Sequence, residues 1–345
     1  MPSDANHQFA STALTVLLQN SLVSIKCLVN FHGKNNISIN RPNKEGYTVI
    51  MNAVIHSGVE VIEYLCTEFK STLNFKKLTP QGQTTFTLAI LKNNDAKVIK
   101  YLYDTFKEDI DLNQRDECGH NIFMLAIMNK KVEIFQYLYK TFRERFDVHD
   151  TNASGSTIFM VAAQAANFEV VEYLFNTCKV PHCEKKTDHD GETLFMHAVT
   201  NKNIDVIKYI YHKYCRTINV NQENNIGATA FMLALARNPN NKAIDYIFSR
   251  FDDVIDITKK DHVGNTLFLY TAQNSNIDIM QYFYNMYGST IRINYYNYNH
   301  ETALMIAVKR SNLEVVKFIC ETYQHSIDIN KKNREGESAL MLAAW

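Results

Sequence analysis

One spacing constrains this chain more than any other feature. Taking a turn glycine as anchor, Gly46, Gly82, Gly119, Gly155, Gly191, Gly227, Gly264, His300 in a glycine's place and Gly336 follow one another at intervals of 36 or 37 residues. A fixed period in this range means small units stacked in series, each unable to bury its apolar face alone. The 345 residues, 46% of them hydrophobic, therefore read as an array and not as two or three globular domains.

The anchor fixes the rest of the unit. Three residues before it stand Asn43, Thr79, Asp116, Asn152, Asp188, Asn224, Asp261, Asn297 and Asn333, and eight of the nine are Asn or Asp, whose side chains can hold a turn by bonding the backbone just downstream. Two residues after it stand Thr48, Thr84, Asn121, Thr157, Thr193, Thr229, Thr266, Thr302 and Ser338, each able to cap a helix. The helix that follows sets a large residue (Ile50, Phe86, Phe123, Phe159, Phe195, Phe231, Phe268, Leu304, Leu340) against a small one three places on, mostly alanine. A second helix carries Tyr64, Tyr101, Tyr137, Tyr173, Tyr209, Tyr246, Tyr282 and Phe318, and five residues later Phe69, Phe106, Phe142, Cys178, Tyr214, Phe251, Tyr287 and Tyr323. This aromatic stripe reads as packing between neighbouring units.

These residues make the unit resemble an ankyrin repeat. DHDGETLFMHAV, NIGATAFMLAL and NREGESALMLAA are similar to that family's turn and first helix, IDVIKYI and LEVVKFI to its second helix, and IDLN, INVN and IDIN to its linking segment. The resemblance implies an all-α, ankyrin-like helical solenoid of helix-turn-helix units joined by β-hairpin-like loops. The expected organisation is a disordered N-terminus over 1–8 and a single array over 9–345. Within the array, a degenerate unit over 9–45 precedes eight full units over 46–335 and a partial unit over 336–345.

Three departures from the family pattern are systematic. Its proline at the first helical position is absent throughout. Its histidine is replaced by Met51, Met124, Met160, Met196, Met232, Met305 and Met341, so packing is expected to replace that histidine's hydrogen bonds. The units also exceed the family's ~33 residues, and the surplus lies where the second aromatic sits, which predicts a second helix about one turn longer, ending on that ring.

Thirty-six basic and 36 acidic residues give a formal charge of zero, which argues against nucleic acid or an anionic membrane as the main partner. No apolar run approaches ~20 residues and no basic segment precedes an apolar one at the N-terminus. Seven cysteines, an odd number at irregular spacing, fit reduced thiols in a cytoplasmic protein. Cys178, His182, Cys183 and His189 have the one spacing suggestive of a metal, but Cys178 falls on the aromatic stripe and reads as core. Neither a metal, a cofactor nor a catalytic constellation is expected.

The resemblance implies a monomeric protein-protein interaction module or scaffold that binds another protein through hairpin tips and a concave face bearing the first helices. The candidate partner-binding residues are His189, Asp190 and Glu192 at one tip, His262, Val263 and Asn265 at another, Tyr295, Tyr296 and Tyr298 in the unusual RINYYNYNHE segment, and Arg334, Glu335 and Glu337 beyond it. The alternative is that the repeats target or regulate a longer multidomain enzyme or channel, because the last unit lacks its second helix before Trp345.

Overall fold

The computed structural model describes residues 22–178, 180, 182–238, 240–251, 254–274, 277–288 and 290–344. The expected disordered start, the first helix of the degenerate unit and Trp345 lie outside them. The chain divides into two compact units, Met1–Cys178 and Lys179–Trp345.

In the first unit, α1 (Leu22–His32) precedes four helix pairs: α2 (Val49–His56) with α3 (Val59–Glu68), α4 (Thr85–Lys92) with α5 (Ala96–Phe106), α6 (Ile122–Met128) with α7 (Val132–Thr141), and α8 (Ile158–Ala165) with α9 (Phe168–Thr177). In the second, α10 (Leu194–Ala198) pairs with α11 (Ile204–Tyr214), α12 (Ala230–Arg237) with α13 (Asn241–Phe251), α14 (Leu267–Gln273) with α15 (Ile277–Tyr287) and α16 (Ala303–Lys309) with α17 (Leu313–Thr322), followed by α18 (Ala339–Ala343). Within each unit, first helices pack on first helices and second on second, in series. This is the helical solenoid that the period predicts. The described residues contain no strand, only antiparallel bridges at hairpin stems such as Thr187 with Thr193 and Lys260 with Thr266.

Each first helix starts where its cap stands, with one correction. Thr48, Thr84, Thr157, Thr193, Thr302 and Ser338 accept the N–H three residues on, and Asn121 accepts from Phe123 and Met124, but Thr229 and Thr266 make no side-chain cap bond. The methionines do more than fill space. The Sδ atoms of Met51, Met160 and Met196 accept the cap residue's own N–H at 3.4, 3.5 and 3.4 Å. A thioether is a weak acceptor, yet it occupies a donor that would otherwise be buried unpaired.

Every second helix ends at the second aromatic position or one residue before it, at Phe69, Phe106, Phe142, Cys178, Tyr214, Phe251, Tyr287 and Tyr323. Six of these eight are buried, whereas the earlier stripe, Tyr64 to Phe318, is half-buried throughout. Leu340 departs from its register. It is 80% exposed, with no later helix among the described residues packed over it.

Asparagines at the ends of the first helices tie neighbouring pairs together. The side-chain amide of Asn93 donates to Val54 O at 2.6 Å, that of Asn129 to Ile90 O at 2.8 Å, that of Asn238 to Val199 O at 2.7 Å and that of Asn274 to Leu235 O at 2.7 Å. Each satisfies a carbonyl that the preceding helix leaves open at its C-terminus.

Candidate protein-interaction surface

The hairpins are built around the residue three before the anchor. Oδ1 of Asp188 accepts from the N–H groups of Asp190 and Glu192, and Asn224, Asp261, Asn297 and Asn333 repeat this pair of bonds in their own hairpins. The anchor then turns the chain with a positive φ, 76° at Gly119. A Cβ there would stand 2.5 Å from Ala153 N of the next hairpin, so glycine also permits the close approach. His300 holds the same turn at φ 58° without that help.

Successive tips are joined through the backbone. In the second unit Asn225 N donates to Asp190 O at 2.9 Å, His262 N to Ile226 O at 2.8 Å, Tyr298 N to Val263 O at 2.7 Å and Arg334 N to Asn299 O at 3.0 Å. The side chains of these tip residues are therefore carried in a fixed row.

Beneath the row runs a polar layer in which Asp and Asn alternate from Asp188 to Asn297. Where the residue is Asp, its second oxygen takes donors from its own unit: His197 Nε2 lies 2.9 Å from Asp188 Oδ2, and Tyr270 Oη and Asn265 Nδ2 donate to Asp261 Oδ2 at 2.9 and 2.8 Å. At Asn224 and Asn297 the amide donates to an acceptor of the unit before, Asn224 Nδ2 to Glu192 Oε1 at 3.4 Å and Asn297 Nδ2 to Asn265 Oδ1 at 2.9 Å, whereas Asn333 Nδ2 donates within its own unit. Burial, reinforced by the neighbouring Asp261 carboxylate, raises the Tyr270 phenol above its ordinary range. At Glu301, burial opposes ionisation, but hydrogen bonds from Lys309 and Asn297 outweigh it and hold the carboxyl below its usual value.

The candidate residues separate on this geometry. His189, Asp190, His262, Val263, Arg334 and Glu335 are exposed. Glu192 and Asn265 are not: both are buried, Glu192 bonded to Asn224 and to Arg237 at 2.8 Å, Asn265 to Asp261 and Asn297. Glu337 is half-buried and accepts from Asn333 Nδ2 at 2.9 Å. Sequence inspection placed all three at a tip because they stand beside the anchor, yet that position points inward.

The tyrosines divide as well. Tyr295 is half-buried, donates its hydroxyl to Gly264 O at 2.8 Å and lies under Lys260, whose Nζ is 4.8 Å from the ring centroid. Tyr296 lies under Lys331 at 4.2 Å and stays 41% exposed. Tyr298 covers Gly264 and stays 54% exposed. Ile226 went unnoticed in the sequence although it stands one residue before an anchor, as Val263 does; it is 53% exposed.

The first helices contribute less than expected. Thr85–Ile90, Ile122–Ile127, Ile158–Ala163, Ala230–Leu235 and Leu267–Ala272 are buried along their whole runs. Compared with the first helices, the hairpins carry the more accessible side chains.

The thiols at the metal-like spacing are buried. Cys183 Sγ lies 3.1 Å from Tyr214 Oη, and burial raises both the Cys178 and the Cys183 thiol above their usual value. Asp116, Cys118 and His120 bring ligand atoms within 4.8 Å of one another. His120, however, already spends Nδ1 on Asp116 Oδ2 at 3.0 Å and Nε2 on Asn152 Nδ2 at 3.3 Å. A cation on Nδ1 would leave a proton on Nε2 facing another donor.

A family model described as ankyrin repeats (3 copies) matches residues 86–183, 124–224, 160–261 and 268–345. No curated protein matches the chain.

Proposed function

The chain belongs to the ankyrin-repeat family, and from that premise we propose that it is a protein-binding module that engages its partner through the hairpin tips of the second unit. Ankyrin repeats are generally protein-protein interaction modules. The observation that carries the assignment to the tips is the row Ile226, Val263 and Tyr298, which are 53%, 42% and 54% exposed on three consecutive hairpins. Scattered apolar side chains on a surface need no explanation; three on tips joined by backbone hydrogen bonds form a rigid apolar strip, and such strips are interaction sites. His189 and Asp190 at one end and Arg334 and Glu335 at the other supply a polar rim, as interfaces have.

The partner on this reading is another protein, bound by a monomer in the cytoplasm. The balanced charge supports neither nucleic acid nor an anionic membrane as the target, and no helix among the described residues is long and apolar enough to cross a membrane. No catalytic role is assigned.

Affinity capture from the native cell with the full chain, set beside I226D/V263D/Y298D, tests the assignment. Partners recovered by the parent chain should disappear with the triple variant and persist with Leu313→Asp, a change at an exposed residue of α17 (62% exposed). Partners retained by the triple variant would remove the tips from the binding surface.

A further inference from the structure

The geometry points to an acidic segment bearing aliphatic or aromatic anchors as the partner element that docks on hairpins 259–263, 295–299 and 331–335, an inference that rests on the tip-binding reading above. Four cations stand on or beside these hairpins without a counter-charge: among the described residues, no carboxylate lies within 4.0 Å of Lys260, Lys331, Lys332 or Arg334. Glu335 is exposed on the last of these hairpins, but three other nearby carboxylates are engaged. Glu223 pairs with Lys259, Glu301 with Lys309, and Asp261 is buried beneath two N–H groups, an amide and a phenol.

Two of the free cations are held in place by aromatic rings. Lys260 lies over Tyr295 from the preceding hairpin, and Lys331 lies over Tyr296 from the following one while donating to Asn294 O at 2.8 Å. Tyrosine faces attract a cation without neutralising it. The ammonium groups are thereby ordered while still able to meet a carboxylate. This also accounts for the Tyr295–Tyr296 pair standing between Lys259–Lys260 and Lys331–Lys332 at the repeat spacing.

The apolar strip is close at hand. Lys260 precedes Val263 by three residues, a reach of at most about 10 Å along an extended chain. Lys331 stands over Tyr296, two residues before Tyr298, so a segment that lays an apolar side chain on Val263 or Tyr298 has carboxylates within two or three residues of Lys260 and Lys331. A basic segment would meet the same four cations and be repelled.

Selection of a random-peptide display library on the full chain, followed by fluorescence anisotropy of one labelled synthetic peptide from the enriched pool, tests the inference. The pool should be enriched in Asp and Glu next to aliphatic or aromatic residues. Affinity should fall about tenfold between low and moderate salt, as exposed charge pairs are screened, and by a similar factor in K260E/K332E. K260Q/K332Q, with half the charge change, should fall between, and circular dichroism of both variants should match the parent. An enriched pool that is neutral or basic, binding indifferent to K260E/K332E, or no enrichment at all would overturn it. A neutral apolar pool lost in I226D/V263D/Y298D would overturn the acidic partner while leaving the tip-binding reading in place, and the lysate capture tests that reading separately.

Discussion

His120 and Asn152 meet across two successive hairpins, Nε2 of the imidazole 3.3 Å from Nδ2 of the amide, while Nδ1 of the same ring lies 3.0 Å from Asp116 Oδ2. The order of polarity is forced. Asn152 must present Nδ2, because its Oδ1 accepts from Ser154 N and Ser156 N; His120 must therefore accept at Nε2 and donate at Nδ1, and Asp116 Oδ2 receives that proton. Asp261, Asn265 and Asn297 repeat the order, with Asn265 Nδ2 donating to Asp261 Oδ2 and Asn297 Nδ2 to Asn265 Oδ1.

A double-mutant cycle measures this bridge. His120→Ala combined with Asn152→Ala should show a coupling of about 0.5–1.5 kcal/mol in urea unfolding. Additive losses would mean that each side chain serves only its own hairpin.

The asparagine at the end of the first helix should matter more than its polarity suggests. Asn238 is 2% exposed, donates to Val199 O and Asn201 O, and accepts from Asn240 N at 2.9 Å. Asn238→Ala should cost about 2–4 kcal/mol, since it leaves buried backbone groups unpaired. Asn35→Ala, at an exposed position, should stay within about 0.5 kcal/mol.

Methionine sulfur as an acceptor is separable from methionine as filler. Met196 Sδ receives Thr193 N–H in a reciprocal cap, whereas no such cap forms between Thr229 and Met232 at the same place in the next helix. Replacement by leucine conserves volume, so Met196→Leu should destabilise by about 0.5–1 kcal/mol more than Met232→Leu. Equal midpoints would reduce the sulfur contact to packing.

Glu301 makes stability depend on pH with a definite sign. Its carboxyl is held below the ordinary value of 4.5 in the folded chain, so the folded state favours the ionised form. The stabilisation is complete above the unfolded value and is lost as pH falls through the lower folded one. The stability difference between the parent and Glu301→Gln should therefore be constant near neutrality and shrink below about pH 4.5. A difference unchanged down to pH 3 would show that the Lys309 pair does not survive in solution.

The repeat was legible in the sequence because its signals are local. A turn needs Asn or Asp and a positive-φ residue within four positions, a helix start needs a cap, and the helix period shows which faces are apolar. Asp188, Gly191, Thr193 and Met196 could be assigned to the framework by alignment with their own copies, and the length of the second helix followed from the surplus residues. Side-chain direction across units was not legible. Whether Glu192 faces solvent or Asn224, whether Tyr295 binds a partner or carries Lys260, and whether Ile226 is covered are questions about groups some 32–36 residues away in sequence. Spacing along one chain fixes the unit, but the neighbour fixes what remains exposed. The sequence by itself thus determined the family and the repeating helical unit, since these depend on interactions within a few residues. Only tertiary structure decided which tip residues are accessible, because accessibility is set by packing of one unit against the next.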